Sequence, residues 1–168
     1  VGGDLVYELG NLFNGSIAYR NSPTIEDVEL YYGTSREREV IDFDSVEAYL
    51  IDKSERIAEI PETEDGSASV AGDTLTLTGN DPYLNVFEVD PSTLSVDYWD
   101  IDVPSTSQVV INIDASSTVL TGFETRLTGI AASRVLLNFP NATTLEIPDG
   151  LLRCSILAPL ADVELGTY

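Results

Sequence analysis

VLLNFPNATTLEIPDGLLRCSILAPLADVELGTY, residues 135–168, is the stretch that decides the fold. Its short apolar runs, Val135–Phe139, Thr144–Ile147, Ser155–Leu157 and Val163–Leu165, are separated by Pro140 and Asn141, by Pro148–Gly150 and by Pro159. Proline lacks the backbone donor that a ladder needs, and glycine admits the positive φ that tight turns need. Strands at roughly ten-residue intervals with such chemistry between them indicate an all-β domain. The spacing by itself leaves a sandwich and a stacked coil both open.

Upstream of this stretch the same rhythm continues. Strands are predicted at Leu5–Leu9, Ser16–Tyr19, Val28–Tyr32, Leu84–Val89, Val96–Val103, Val109–Ile113, Thr118–Leu120 and Leu127–Ile130. Neighbours on a strand face opposite ways, so one of Tyr31 and Tyr32 points inward and the other outward. TLTLTG at 74–79 alternates and puts Thr74, Thr76 and Thr78 on one face, where β-branched residues suit any solvated strand. The segment Asp42–Ile60 changes period: Phe43, Val46, Leu50, Ile57 and Ile60 form one helical stripe, Asp44 with Glu47 opens it like a capping box, and Pro61 closes it. The stripe is expected to lie on a sheet, so Leu50→Asp should cost a few kcal/mol. ETEDGSAS at 62–69 reads as a surface loop. No repeat of fixed length runs through the chain, so a stacked coil would have turns of unequal length.

NFPNATTL followed by SILAPLADVEL resembles the closing motif of the choice-of-anchor A domain, an adhesive module of secreted and surface-anchored proteins, and SILAP is similar to a rung of the β-solenoid ice-binding proteins. VGGDL at 1–5 resembles the family's opening strand, IDFDSVEAYLIDKSERIAEIP at 41–61 its helix, TLTLTGNDPYLNVFEVD at 74–90 the strands that follow, and VPSTSQVVINIDA at 103–115 its proline, small-residue, apolar-run, asparagine segment. Cys154 stands where the family has glycine before the last strand, and Leu160 where it has a polar residue. The resemblance implies one irregular β-solenoid domain over 1–168 with a long helix at about 42–60 packed alongside. It also implies an extracellular or cell-surface location, and one further strand after Tyr168, without which the end of the coil is open.

A chain of 168 residues with 43% apolar content builds a substantial core and is not a disordered acidic tail. Eight Lys and Arg against 29 Asp and Glu give a net charge of -21, which repels nucleic acid and anionic lipid. Lys53 is the only lysine. Such a surface suits salt, which screens self-repulsion, or a divalent-cation-rich exterior. Cys154 is alone, so no disulfide forms within the chain; among Leu152 and Ile156 it reads as a small buried apolar residue. No apolar run of membrane-spanning length occurs. The chain has no methionine and begins VGGDL, so the start of the gene product, with any signal peptide, is expected to lie upstream.

The sequence contains no histidine, which removes Ser/His/Asp and Cys/His units and the usual zinc ligand sets. No glycine-rich phosphate loop follows VGGD, and Lys53, among acidic helix residues, is misplaced for an isopeptide bond. Catalytic residues and a dedicated cofactor are therefore not expected. Glycoside hydrolysis by paired carboxylates and ice binding by a threonine face are the lesser alternatives. Asp100 and Asp102 share a strand face and are the candidates for weakly bound calcium, although a calcium site takes six to eight oxygens. Tyr83, Tyr98 and Trp99 are the candidate ligand contacts, with core as the plainer role for Trp99. Asn14 and Asn141 lie in N-glycosylation sequons. The expected function is a non-catalytic surface module: an adhesin for matrix, glycan or neighbouring surface proteins, or a structural unit that stacks end to end through coil ends near Val1–Asp4 and Gly166–Tyr168.

Overall fold

Parallel pairing dominates the molecule. A computed structural model describes the strand backbone at 6–13, 17–19, 24–31 and 35–37 and every atom of 42–120 and 124–166. The chain is mostly β with one helix and falls into two compact units, Val1–Ala48 and Tyr49–Tyr168. In the first, β1 (Val6–Phe13) pairs parallel with β3 (Thr24–Tyr31), and β2 (Ile17–Tyr19) with β4 (Ser35–Glu37). The opening VGGDL, Asn14 and Tyr32 lie outside the described residues.

The second unit contains three sheets. β5 (Ser67–Ala71), β6 (Thr74–Thr78), β8 (Tyr98–Asp102) and β11 (Glu124–Thr128) make the first; β7 (Leu84–Glu88), β9 (Gln108–Asn112), β12 (Val135–Asn138) and β14 (Ser155–Leu157) the second; β10 (Ser117–Val119), β13 (Thr144–Ile147) and β15 (Asp162–Leu165) the third. From β8 to β13 the chain visits the three sheets in turn twice, whereas β7 leads straight back to the first sheet and β13 straight on to the second. Every strand pair is parallel except β5 with β6. Residues stacked on neighbouring strands are unequally far apart in sequence: 24 residues from Glu88 to Asn112, 26 from Asn112 to Asn138, 27 from Asp114 to Asn141. The corners absorb the differences, one by a short 3-10 turn whose start Asp90 caps through Ser92 N–H, another by Gly129 at φ 77°.

Alternation along each strand sends one residue set inward. Leu75, Trp99 and Thr125 stack in register, as do Leu77 and Ile101, and Phe87, Ile111 and Leu137. These side chains, with Phe139 and Leu145, form one contiguous buried core. Each fully buried Leu, Ile or Phe contributes about 1.5–3 kcal/mol by leaving water. Asn85, Thr118 and Thr125 are polar residues on the inner face; the Thr125 hydroxyl donates to the Leu151 carbonyl at 2.9 Å and accepts from Arg153 N–H at 2.6 Å.

The helix α1 (Phe43–Ala58) starts at a different cap from the one expected. Asp42, not Asp44, accepts from Ser45 N–H at 3.2 Å and from the Ser45 hydroxyl at 2.5 Å. Its docking is also a correction. Phe43, Val46 and Leu50 are exposed, and Ile57 and Ile60 are half-buried, whereas Ser54 is fully buried. Ser54 donates to Asn138 Oδ1 at 2.6 Å, and Asn138 Nδ2 returns a bond to the Ser54 carbonyl at 3.0 Å. The apolar stripe predicted the helix but not its seat, because the second sheet offers an asparagine row that an apolar stripe cannot satisfy. Leu50→Asp is accordingly expected to shift stability by about 1 kcal/mol or less in urea denaturation. A loss of several kcal/mol would restore the apolar-stripe seat.

Two strand assignments also change. ETEDGSAS contains the start of β5, which pairs antiparallel with β6 across Gly72 and Asp73, Gly72 standing at φ 59°. Gly-Asp is a two-residue hairpin signal, but SASVA lacks the apolar pattern that marks a strand. β11 begins at Glu124 rather than Leu127 and ends before Gly129, whose positive φ breaks the ladder.

Candidate functional site

The outward face of the first sheet gathers the polar residues singled out in the sequence. Because the pairings are in register, three rows cross four strands: Ser67, Thr78, Asp102 and Thr128; Ser69, Thr76, Asp100 and Arg126; Ala71, Thr74, Tyr98 and Glu124. The row spacing is set by the sheet itself, about 4.8 Å between strands and about 6.6 Å between same-face neighbours along each strand. The result is a broad face of hydroxyls and carboxylates, with one aromatic ring and one cation at one side. The Ser67 and Thr78 hydroxyls hydrogen-bond at 2.6 Å, which fixes that corner of the array.

Arg126 decides the electrostatics of the middle row. Its guanidinium lies over the Tyr98 ring, 3.4 Å from the centroid, and its Nε is 3.9 Å from Glu124 Oε2. Turned that way, it makes no ion pair with Asp100, its in-register neighbour. Asp100 Oδ1 is shielded from solvent and has no hydrogen-bond partner among the described residues. Asp102, two residues on, is exposed on the same face. The two carboxylates thus do share a face, next to the Thr76 and Thr78 hydroxyls. Among the described residues no three His, Cys, Asp or Glu side chains gather in a way that would hold a metal ion.

The three aromatic candidates are not one patch. Trp99 is fully buried with its ring in the core and cannot touch a ligand, which corrects that assignment. Tyr98 faces out on the first sheet. Tyr83 stands at the corner that leads into β7 and is 81% exposed. Its presentation is built: Asp81 Oδ1 accepts from Tyr83 N–H at 2.7 Å and Leu84 N–H at 3.0 Å, while buried Asn85 donates to the Asp81 carbonyl at 2.8 Å and to the Ser107 hydroxyl at 2.7 Å. Gly79 is required here, since a Cβ would lie 2.1 Å from Asn85 Oδ1. The backbone bonds from Leu84 and Tyr83 hold the Asp81 carboxyl below its ordinary value of 3.8. The corner is therefore fully braced above that value and loosens as pH falls below it.

Asn141 is exposed at its turn, but its Nδ2, the atom a glycan would occupy, donates to Asp114 Oδ1 at 2.8 Å. It edges an open cleft of about 250 Å³ lined by Glu55, Ala58, Glu88, Asn112, Asp114 and Pro140. Cys154 is half-buried, and burial pushes its thiol up to about 12, so the neutral form holds throughout the physiological range. Thiol labelling of the native protein at pH 8 should run at least tenfold slower than for a free cysteine, whose pKa is about 8.5. Labelling at the free-thiol rate would place Cys154 outside the core.

Sequence reasoning missed Arg126, which nothing local distinguishes, and the asparagines Asn112 and Asn138. Their signal was present as an asparagine closing each of two apolar runs, VVIN and LLN. A shared register shows only when the runs are stacked.

The described residues thus bury their bulky side chains behind a wide polar sheet face. The sequence profile of the family described as "Putative Ice-binding-like adhesive domain" matches residues 1–167, and the chain belongs to that family. The description fits a surface or extracellular location. It bears out the adhesive, ice-binding-like part of the resemblance, while the choice-of-anchor A name stays a resemblance. No curated protein and no solved structure matches the chain. No helix among the described residues is long and apolar enough to cross a membrane.

Proposed function

We propose that the chain is a non-catalytic surface adhesin, a single irregular β-solenoid domain with α1 alongside, and that it contacts a glycan, matrix or neighbouring surface protein through the outward face of the first sheet. The observation that carries this is the in-register array of Thr74, Thr76, Thr78, Tyr98, Asp100, Asp102, Arg126 and Thr128 on one face. Hydroxyls and carboxylates at sheet spacing match a hydroxyl-rich ligand by many modest hydrogen bonds, each worth about 1 kcal/mol. The Tyr98 ring, held by Arg126, adds an aromatic contact. The unequal but cyclic return of parallel strands supports the solenoid, and the profile match over 1–167 supports a single domain. Calcium enters as a weak coat on the acidic face. Ice binding is the lesser reading, because the threonine column on β6 is followed on β8 and β11 by Tyr98, Asp100, Asp102, Glu124 and Arg126.

Purified protein on glycan and matrix arrays tests the proposal. Tyr98→Ala and Arg126→Ala are each expected to weaken the best signal about tenfold, the loss of one aromatic or charge-assisted contact. A signal that both variants leave intact would move the contact elsewhere. Turnover of a glycan or peptide, abolished by changing one carboxylate, would replace the adhesin by an enzyme.

A further inference from the structure

The outward face of the first sheet has a repeat that a polymer can share. Neighbouring strands stand about 4.8 Å apart, close to the rise of one sugar in an extended β-1,4-linked polysaccharide, whereas same-face residues along a strand are about 6.6 Å apart and fall out of step with it. Such a polymer keeps register with the face only when it lies across the strands, along the row of Thr76, Asp100 and Arg126 on β6, β8 and β11. One sugar then falls over each strand.

Charge selects among polymers of this shape. The face carries three carboxylates, Asp100, Asp102 and Glu124, and one cation. Arg126 is engaged with the Tyr98 ring and Glu124, which leaves Asp100 and Asp102 without an ion pair among the described residues. Asp100 Oδ1 is also shielded from solvent and has no hydrogen-bond partner there, so a counter-charge on the face stabilises a carboxylate that water solvates only in part. The hydroxyls of Thr76 and Thr78 stand on one side of this pair and that of Thr128 on the other. An apolar or basic peptide would find almost no apolar surface among them. An acidic polysaccharide would meet the net charge of -21.

We propose that the glycan bound by this face is a cationic amino-sugar polymer, β-1,4-linked and extended, laid across β6, β8 and β11. The sugar over β8 places its ammonium group between Asp100 and Asp102, and the sugars to either side meet the threonine hydroxyls. This deepens the glycan contact proposed above and rests on it.

The test is calorimetric titration of the whole chain with a β-1,4-linked glucosamine tetramer at about pH 5.5, where the carboxylates are ionised and the sugar amines protonated. The N-acetylated tetramer, which keeps linkage and hydroxyls but carries no charge, and free glucosamine are the controls. The amine tetramer is expected to bind at least tenfold tighter than either control and to lose about tenfold in affinity in Asp100→Asn. This variant keeps the side chain's shape, and circular dichroism checks the fold. Glu62→Gln removes an exposed carboxylate outside the first sheet and should bind as the parent chain does. Equal affinity for the two tetramers overturns the cationic class, and equal affinity for the single sugar overturns the seat across the strands. Equal losses in Asp100→Asn and Glu62→Gln would reduce the binding to attraction by a polyanion. If the amine tetramer fails to bind while another glycan gives an array signal that Tyr98→Ala weakens, this inference alone falls; with no such signal, the glycan contact itself falls.

Discussion

Asn138→Ala is expected to lower the unfolding free energy by roughly 3 kcal/mol, more than any other single polar change. Asn138 is fully buried and makes three hydrogen bonds: it accepts from the Ser54 hydroxyl and donates Nδ2 to the Ser54 carbonyl and to Asn112 Oδ1. Asn112 in turn donates to Glu88 Oε1 at 2.8 Å and, more weakly, to the Ile57 carbonyl at 3.4 Å. The row is two side-chain amides and a carboxylate running across three strands of the second sheet, with the second half of α1 laid along it. Truncation strands Ser54 and the Asn112 carbonyl oxygen in a site sealed from water, and each unsatisfied group costs about 1–3 kcal/mol. Denaturant unfolding measures the loss. Because Ser54→Ala removes one partner of the same unit, the double variant should cost clearly less than the two losses added together. Additive losses, or an Asn138→Ala cost near zero, would mean that the helix is held by something other than this row.

Trp99→Ala is expected to cost about 3–5 kcal/mol, the range for emptying a large aromatic site from a packed core. Trp99 is the largest fully buried side chain and lies in register between Leu75 and Thr125, so its removal opens a void that spans three strands of the first sheet. As the only tryptophan, it also reports on the state it stabilises: native emission should be blue-shifted and should move to the red across the same transition as circular dichroism. A red emission maximum in the native protein, or a loss below about 1 kcal/mol, would contradict the buried position. The two variants probe different layers. Trp99 tests the packing of the core, and Asn138 tests the attachment of the helix to the second sheet.

The contrast between TLTLT and SASVA shows where local pattern suffices. Alternating leucine and threonine announce both a strand and its inward side, and β6 appears as read, with Leu75 and Leu77 buried. SASVA is short, small and exposed along its length, and it is a strand because β6 offers it an edge across Gly72 and Asp73. The face on which Tyr98, Asp100 and Asp102 lie was half legible. Alternation put Asp100 and Asp102 on one side and set Trp99 against them, yet it could not bring Thr76 beside Asp100 or Arg126 over Tyr98. Those neighbours lie more than twenty residues apart in sequence.

The sequence by itself determined the all-β character, the positions of most strands, the one helix, the acidic surface and the adhesive family, because turn residues, alternation and net charge are local or summed quantities. Only the tertiary structure decided which face of α1 docks, that Asn112 and Asn138 form its seat, and that the polar columns of the first sheet meet in rows. Each depends on register between strands some two dozen residues apart. Register is set by how the unequal corners let the core close, and no single strand carries that information.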